Sequence, residues 1–240
     1  MSQLKVMQED NSVLRWGGLA GILGGILFIL VFGVVAVFVG LDLTPEEMIS
    51  RFPDIRAART VENSLYLLVL VLWVAHFLAL YRALRKSSLA PAVFGSVLGV
   101  VGLGVLAAGA LPHIATAPIS DLYHAAGATF EDQRTLVLSW QATLGIFDAL
   151  LFVGLVLLPI SLVALGVAML RTPAFGKRFG RLTVGLGLIG VMAATVVLID
   201  PLSPMAAFGF FALIIFNLVL GSKVYRLSKA SAALAPAYDS

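Results

Sequence analysis

The chain has 240 residues, of which 60% are hydrophobic and 12% are charged. Soluble domains usually carry about 25% charged residues, so this composition excludes an ordinary soluble protein and indicates a membrane protein. The net charge of +3 does not indicate nucleic-acid binding, because the basic residues border apolar segments and form no basic cluster with aromatic residues. The absence of cysteine excludes disulfides, thiolate catalysis and cysteine-ligated metals.

Six apolar segments are long enough to cross a bilayer. A hydrocarbon core about 30 Å thick needs roughly 20 helical residues. Backbone amides cannot stay unpaired in lipid, and no segment alternates like a barrel strand, so each segment is predicted to be a helix. The predicted fold is an all-α polytopic bundle, one integral membrane domain over 1–240. Its spans are predicted at about 17–41, 62–81, 91–112, 142–170, 182–199 and 206–222.

The lysine and arginine residues predict the orientation of these spans. With a cytoplasmic N-terminus, twelve basic residues fall on the inner side, and Arg51, Arg56, Arg59 and Arg134 fall outside. This positive-inside bias predicts that both termini are cytoplasmic, with a tail at 223–240. The first apolar segment is longer than that of a signal peptide and lacks an A-x-A site, so it is predicted to remain as the first span.

The first outer loop, 42–61, is predicted to hold a short helix. Thr44, Pro45 and Glu47 match an N-cap, a proline at the first helical position and the acidic partner of a capping box. Apolar residues then recur at helical spacing on one face, which indicates a helix lying at the membrane surface.

The second outer loop, 113–141, is predicted to be broken by Pro112, Pro118 and Gly127 before a helix starts near Thr129. Its histidine and acidic residues show none of the tight spacings of a metal site. We therefore predict no metal site there and favour a solvated acidic cap. The residues concerned are His113, Asp121, His124, Glu131 and Asp132.

A shift of 86 residues aligns the segment 81–110 with the segment 167–196. Arg85 then meets Arg171, and Gly99 meets Gly185. The alignment indicates that the second and third helices duplicate the fourth and fifth in the same orientation, a parallel repeat known in some transporters. Chance similarity between two segments rich in glycine and leucine is the alternative.

Glycines at four-residue spacing mark two of the predicted helices. Gly17, Gly21 and Gly25 form a double G-x-x-x-G on the first, and Gly95 and Gly99 form another on the third. Without side chains, these positions let helices approach closely and gain van der Waals contact. We expect them to pack helices together, and they are also candidate contacts for a second copy or a partner helix in the lipid bilayer.

Pro159 is the first candidate for a functional position within the membrane. At about 1.5 Å per residue, it lies roughly 18 Å inward of Arg171, near the middle of the core. Its ring leaves the carbonyl of Leu155 without its usual donor, and Ser161 is close enough to help satisfy the region. Transporters use such broken helices as binding sites, whereas an ordinary proline kink is the simpler reading.

His76 and Asn217 are the other candidates. Each precedes a basic residue, Arg82 or Lys223, by six positions, which places both about 9 Å inside the inner boundary. Polar side chains in one layer can hydrogen-bond across helices, and a histidine there could also relay protons. We predict structural bonding first and a binding or proton-linked role second.

The stretches "LRWGGLAGILGGILFIL" and "LLPISLVALGVAMLRTPAFGKRFGRLTVGLGLIG", with six spans and a basic hairpin loop, resemble uncharacterised bacterial multi-pass membrane proteins. The resemblance covers most of the chain. It implies a prokaryotic plasma membrane and transfers no catalytic residue to this sequence.

The sequence favours a non-enzymatic membrane module that works through packing or contact with a partner. No nucleophile–base set or acid–base pair lies at one depth, and no cofactor motif is present. The alternative is a transporter or permeation protein for small molecules or ions. Its site would lie near Pro159 and Ser161 and the layer of His76 and Asn217.

Overall fold

A computed structural model of the chain describes residues 2–39, 43–200 and 203–234. The described part is helical, with no strand, and α1 continues into one π-helical turn at Val35–Val39. Each helix contains an apolar stretch long enough to cross a membrane, which confirms the predicted all-α, six-span, multi-pass fold. The helices are α1 Ser2–Val34, α2 Pro45–Leu84, α3 Leu89–Tyr123, α4 Phe130–Leu170, α5 Gly176–Ile199 and α6 Met205–Leu234.

Three helices extend well past their predicted spans on the side of the bundle away from the two termini. α2, α3 and α4 have 40, 35 and 41 residues. At 1.5 Å per residue they measure about 60, 52 and 62 Å, so they extend well beyond a hydrocarbon core of about 30 Å. With six spans, the two termini lie at one end of the bundle, here called the terminal end, and the extensions of α2, α3 and α4 lie at the other.

The predicted loop structure therefore changes in two places. The short helix expected in 42–61 is not separate but is the first part of α2. The second loop is shorter than predicted, because α3 continues through Pro112 and Pro118 to Tyr123. Each proline removes one backbone hydrogen bond, and the buried positions Pro112, Thr116 and Ser120 pack α3 against its neighbours and keep the helix continuous.

We call the extensions at 45–61, 113–123 and 130–141 the cap. The cap has a small hydrophobic core of its own, in which the rings of Phe52 and Trp140 lie edge to face with centroids 5.4 Å apart. Arg56 of α2 forms an ion pair with Asp121 of α3. The Ser120 hydroxyl donates to the carbonyl of Ile49 at 3.4 Å. These contacts make the cap a packed unit rather than a set of loops.

The main core fills the bundle between the cap and the terminal end. It combines large side chains from α2, α3, α4 and α6 that are almost completely buried. Its largest fully buried members are Trp73, Phe77, Leu80, Leu84, Leu103, Leu158, Leu162, Leu165, Met169, Leu213 and Phe216.

The glycines of the two G-x-x-x-G patterns lie against this chain's own helices. Gly17 faces Ala79, and a methyl group added to Gly21 would lie 2.7 Å from Nδ1 of His76. The neighbours of Gly25, Gly95 and Gly99 are likewise side chains of α6, α4 and α2. A second copy or partner helix would have to displace these neighbours to use the same surfaces.

α2 and α4 begin and end at nearly the predicted shift, and the duplication itself stays a prediction. Thr44 precedes α2 and Thr129 precedes α4, and each forms a complete capping box with the acidic residue three positions later. The helices end at Leu84 and Leu170, and 170 minus 84 is the same 86-residue shift. α3 begins at Leu89 and α5 at Gly176, which are 87 residues apart. These two helices differ in length, with 35 and 24 residues.

Candidate functional site

Pro159 and Ser161 lie in a tightly packed part of α4. A methyl group added to Gly190 of α5 would lie 2.6 Å from Cγ of Pro159. On the other side, the Ser161 hydroxyl donates to the carbonyl of Gly95 on α3 at 2.6 Å. Both residues are buried, and α4 runs without interruption through them. α3 and α5 therefore occupy the two sides of the proline position.

His76 is fully buried between α1, α2 and α6. Its Nδ1 lies 2.9 Å from the carbonyl oxygen of Gly17 on α1, and its ring centroid lies 5.9 Å from that of Phe216 on α6. Because a carbonyl only accepts, Nδ1 carries the proton, and a neutral ring then leaves Nε2 as an acceptor. Nε2 has no hydrogen-bond partner within the described part of the protein.

Asn217 is also fully buried, on the next position of α6 after Phe216. Its amide nitrogen donates to the carbonyl of Leu213 in its own helix at 2.8 Å, which leaves Oδ1 without a partner among the described residues. The two side chains thus bond to backbone carbonyls and not to each other. The two unpaired atoms, Nε2 of His76 and Oδ1 of Asn217, are both acceptors and cannot hydrogen-bond to each other directly.

A different group of residues surrounds a cavity of about 220 Å³ directly below the cap. α1, α2, α3, α4 and α6 all contribute to it, and the π-helical turn contributes Val35. Such turns are frequent near functional sites. None of the four candidate positions in α2, α4 and α6 lines this cavity.

Aromatic side chains form a large part of the cavity wall. The ring of Phe28 lies 5.8 Å from that of Phe210 and 5.0 Å from that of Trp73, centroid to centroid. The Tyr66 hydroxyl donates to the carbonyl of Leu106 at 3.4 Å, so its ring faces the cavity with its polar end bound to the backbone. The aromatic residues of the wall are Phe28, Phe32, Tyr66, Phe147 and Phe210.

Polar side chains line the cavity on the side towards the cap. The carboxylate of Glu62 accepts from Arg59 at 2.9 Å, and both side chains are mostly buried. Asn63 lies beside Glu62, and the ring of His113 lies 4.2 Å from that of Phe147, centroid to centroid. The cavity therefore joins an apolar body to one polar, hydrogen-bonding end.

The sequence placed Glu62 at the edge of a span and His113 in a solvated loop, and so missed this cavity. The reason is that α2 and α3 continue unbroken through these positions. On a continuous helix, residues three or four positions apart share a face. Glu62 and Tyr66 are four positions apart, and Ala110 and His113 are three positions apart. That spacing was the available signal.

Comparison with known protein families, with curated proteins and with solved structures gives no match to this chain.

Proposed function

We propose that this protein is a non-enzymatic membrane protein that binds a small amphipathic molecule in the cavity below the cap. The observation that carries the proposal is the arrangement of the cavity wall, with aromatic rings around the body and Glu62, Asn63 and His113 at one end. Such a site suits a ligand with an apolar body and one hydrogen-bonding end.

The size of the cavity limits the ligand. Its volume of about 220 Å³ is below the range of roughly 300–1,000 Å³ that holds drug-sized molecules. A single ring or one short alkyl chain fits this space, whereas a nucleotide or a whole phospholipid does not. Since Arg59 already balances the charge of Glu62, an uncharged polar end suits the site best.

The packing deeper in the bundle favours binding over permeation. His76, Asn217, Pro159 and Ser161 are fully enclosed by neighbouring helices. A transport path through their layer would need the helices to separate. We propose that the protein lies in a prokaryotic plasma membrane, as the resemblance implies. The predicted distribution of basic residues supports an orientation with both termini cytoplasmic and the cap outside.

A cavity-filling substitution tests this function. Ala110 is buried in the cavity wall, so Ala110→Leu should occupy the space where the ligand binds. We would photolabel the purified protein with an octanol analogue that carries a diazirine, and locate the label by peptide mass spectrometry. In the native protein the label should fall on peptides around Tyr66 and Phe147, and Ala110→Leu should lose most of it.

The matched control is Gly104→Leu on the same helix. Gly104 faces open space, with no neighbouring atom within 4 Å, so a leucine there adds volume outside the cavity. This variant should label like the native protein. Equal labelling of Ala110→Leu and Gly104→Leu, or a label spread evenly over lipid-facing peptides, would rule out the cavity as the binding site.

A further inference from the structure

A second site lies at the terminal end, between α1 and α6. A groove of about 490 Å³ opens there, and its wall contains Arg15 of α1 and Lys229 of α6. Asn11 and Ser12 add neutral polar side chains that can donate hydrogen bonds. No carboxylate is among the described residues of the wall. Two cations with neighbouring hydrogen-bond donors form a site for a negatively charged group.

The two helices that carry these cations pack closely against each other. A methyl group added to Gly18 would lie 2.6 Å from the backbone nitrogen of Tyr225, and one added to Gly221 would lie 2.8 Å from the carbonyl oxygen of Gly18. The backbones of α1 and α6 are therefore in contact next to the groove. Lys229 places its ammonium 4.9 Å from the ring centroid of Tyr225, which favours a defined position for the charge.

The tryptophan in the wall of the groove indicates where the ligand comes from. Trp16 is 69% exposed, whereas Trp73 and Trp140 are 1% and 3% exposed. It stands where the polar start of α1 gives way to the apolar stretch, the position that tryptophan favours at the headgroup level of a bilayer. A phosphate in the groove would thus lie at the depth of lipid headgroups.

We propose that the groove binds the phosphate headgroup of an anionic phospholipid, held by Arg15 and Lys229. Basic sites between membrane helices bind such headgroups, and each basic residue near the surface strengthens binding several-fold. The groove is separate from the cavity below the cap, so this proposal does not depend on the proposed function.

Tryptophan quenching by brominated lipid tests the proposal. The full-length protein would be placed in phosphatidylcholine vesicles, with brominated phosphatidylglycerol or brominated phosphatidylcholine added at increasing mole fraction. Because the other two tryptophans are buried, the quenching reports on Trp16, and Trp16→Phe gives the background. We expect an apparent preference for phosphatidylglycerol on the order of tenfold at low salt.

The double variant Arg15→Gln and Lys229→Gln should reduce this preference to near unity. Arg15→Lys, which keeps the charge, should retain most of it. The matched control is Lys177→Gln and Arg178→Gln, which removes the same charge from exposed positions on α5 and should keep the native preference. Both double variants change exposed side chains, and equal thermal unfolding would show that both fold.

Three results would overturn the proposal. One is equal quenching of the native protein by the two brominated lipids. Another is an equal loss of preference in the two double variants, which would mean general surface charge. The third is loss of the preference when inorganic phosphate replaces chloride at constant ionic strength, which would assign the groove to free phosphate and not to a lipid.

Discussion

The His76 imidazole connects α2 to the backbone of α1 through one hydrogen bond, and the absence of a side chain at Gly21 makes room for its ring. Hydrogen bonds of this kind between membrane helices contribute about 0.6 kcal/mol on average. The close fit at Gly21 therefore contributes at least as much to the position of His76 as the bond does. A binding or proton-linked role for His76, Asn217, Pro159 and Ser161 stays a prediction.

Two glycines on α1 allow a matched test of this fit. Gly21→Ala should lower the free energy of unfolding by about 1–3 kcal/mol, because the new methyl group overlaps the imidazole. Gly33→Ala has no atom within 4 Å to meet and should be neutral or stabilising by up to about 1 kcal/mol. Reversible unfolding of both variants in mixed micelles would measure the difference. Equal effects would contradict the packing described here.

At the scale of the helix, α2 and α4 begin in the same way. The residue pairs are Thr44 with Glu47 and Thr129 with Asp132. In each pair the threonine hydroxyl accepts a hydrogen bond from the backbone N–H of the acidic residue. The carboxylate of that residue accepts one from the backbone N–H of the threonine. These hydrogen bonds lower the pKa of both carboxyl groups, each of which is fully exposed beyond the apolar stretch of its helix. The boxes fix where the two longest helices start, and hence where the cap ends.

The pH dependence of these helix starts follows from the lowered pKa values. A carboxyl group whose pKa is lower in the folded state stabilises that state above its ordinary pKa, and the stabilisation is lost as the pH falls through the lowered value. Amides at 46–48 should therefore exchange hydrogen faster, after correction for the intrinsic rate, as the pH falls below the ordinary range of a glutamate. Thr44→Ala should show the fast exchange at neutral pH, and Thr129→Ala serves as the control that leaves 46–48 unchanged. An unchanged exchange rate in Thr44→Ala would contradict this account.

At the scale of the molecule, the chain has two hydrophobic cores of unequal size. The main core lies in the bundle, and the smaller one lies in the cap around Phe52 and Trp140. The cavity lies at the junction of the two, where α1 ends while α2, α3 and α4 continue. Small packed units open locally at lower free energy than a large core. The cap is therefore expected to open more readily than the bundle.

Phe52→Ala should separate the stabilities of the two cores. Removing a buried phenylalanine costs about 3–5 kcal/mol, a large loss for a core this small. We expect hydrogen exchange to rise in 45–56, 116–123 and 130–140 while the segment 69–84 stays protected. Phe208→Ala, at an exposed position of α6, is the control and should change neither region. A uniform rise over the whole chain would mean that cap and bundle unfold as one unit.

Hydropathy and backbone chemistry determined much of this protein before any tertiary contact was known. Six apolar stretches must be helices because lipid offers no partner to a free amide, and Thr44 and Thr129 mark two helix starts by local hydrogen bonding. Only the tertiary structure decided that α2 and α3 run on past the predicted membrane boundary, because packing against neighbouring helices outweighs the cost of prolines such as Pro112 and Pro118. That continuity turns Glu62 and His113 from expected surface groups into the polar end of a cavity. Their positions depend on contacts between residues far apart in the chain, which hydropathy and local spacing do not encode.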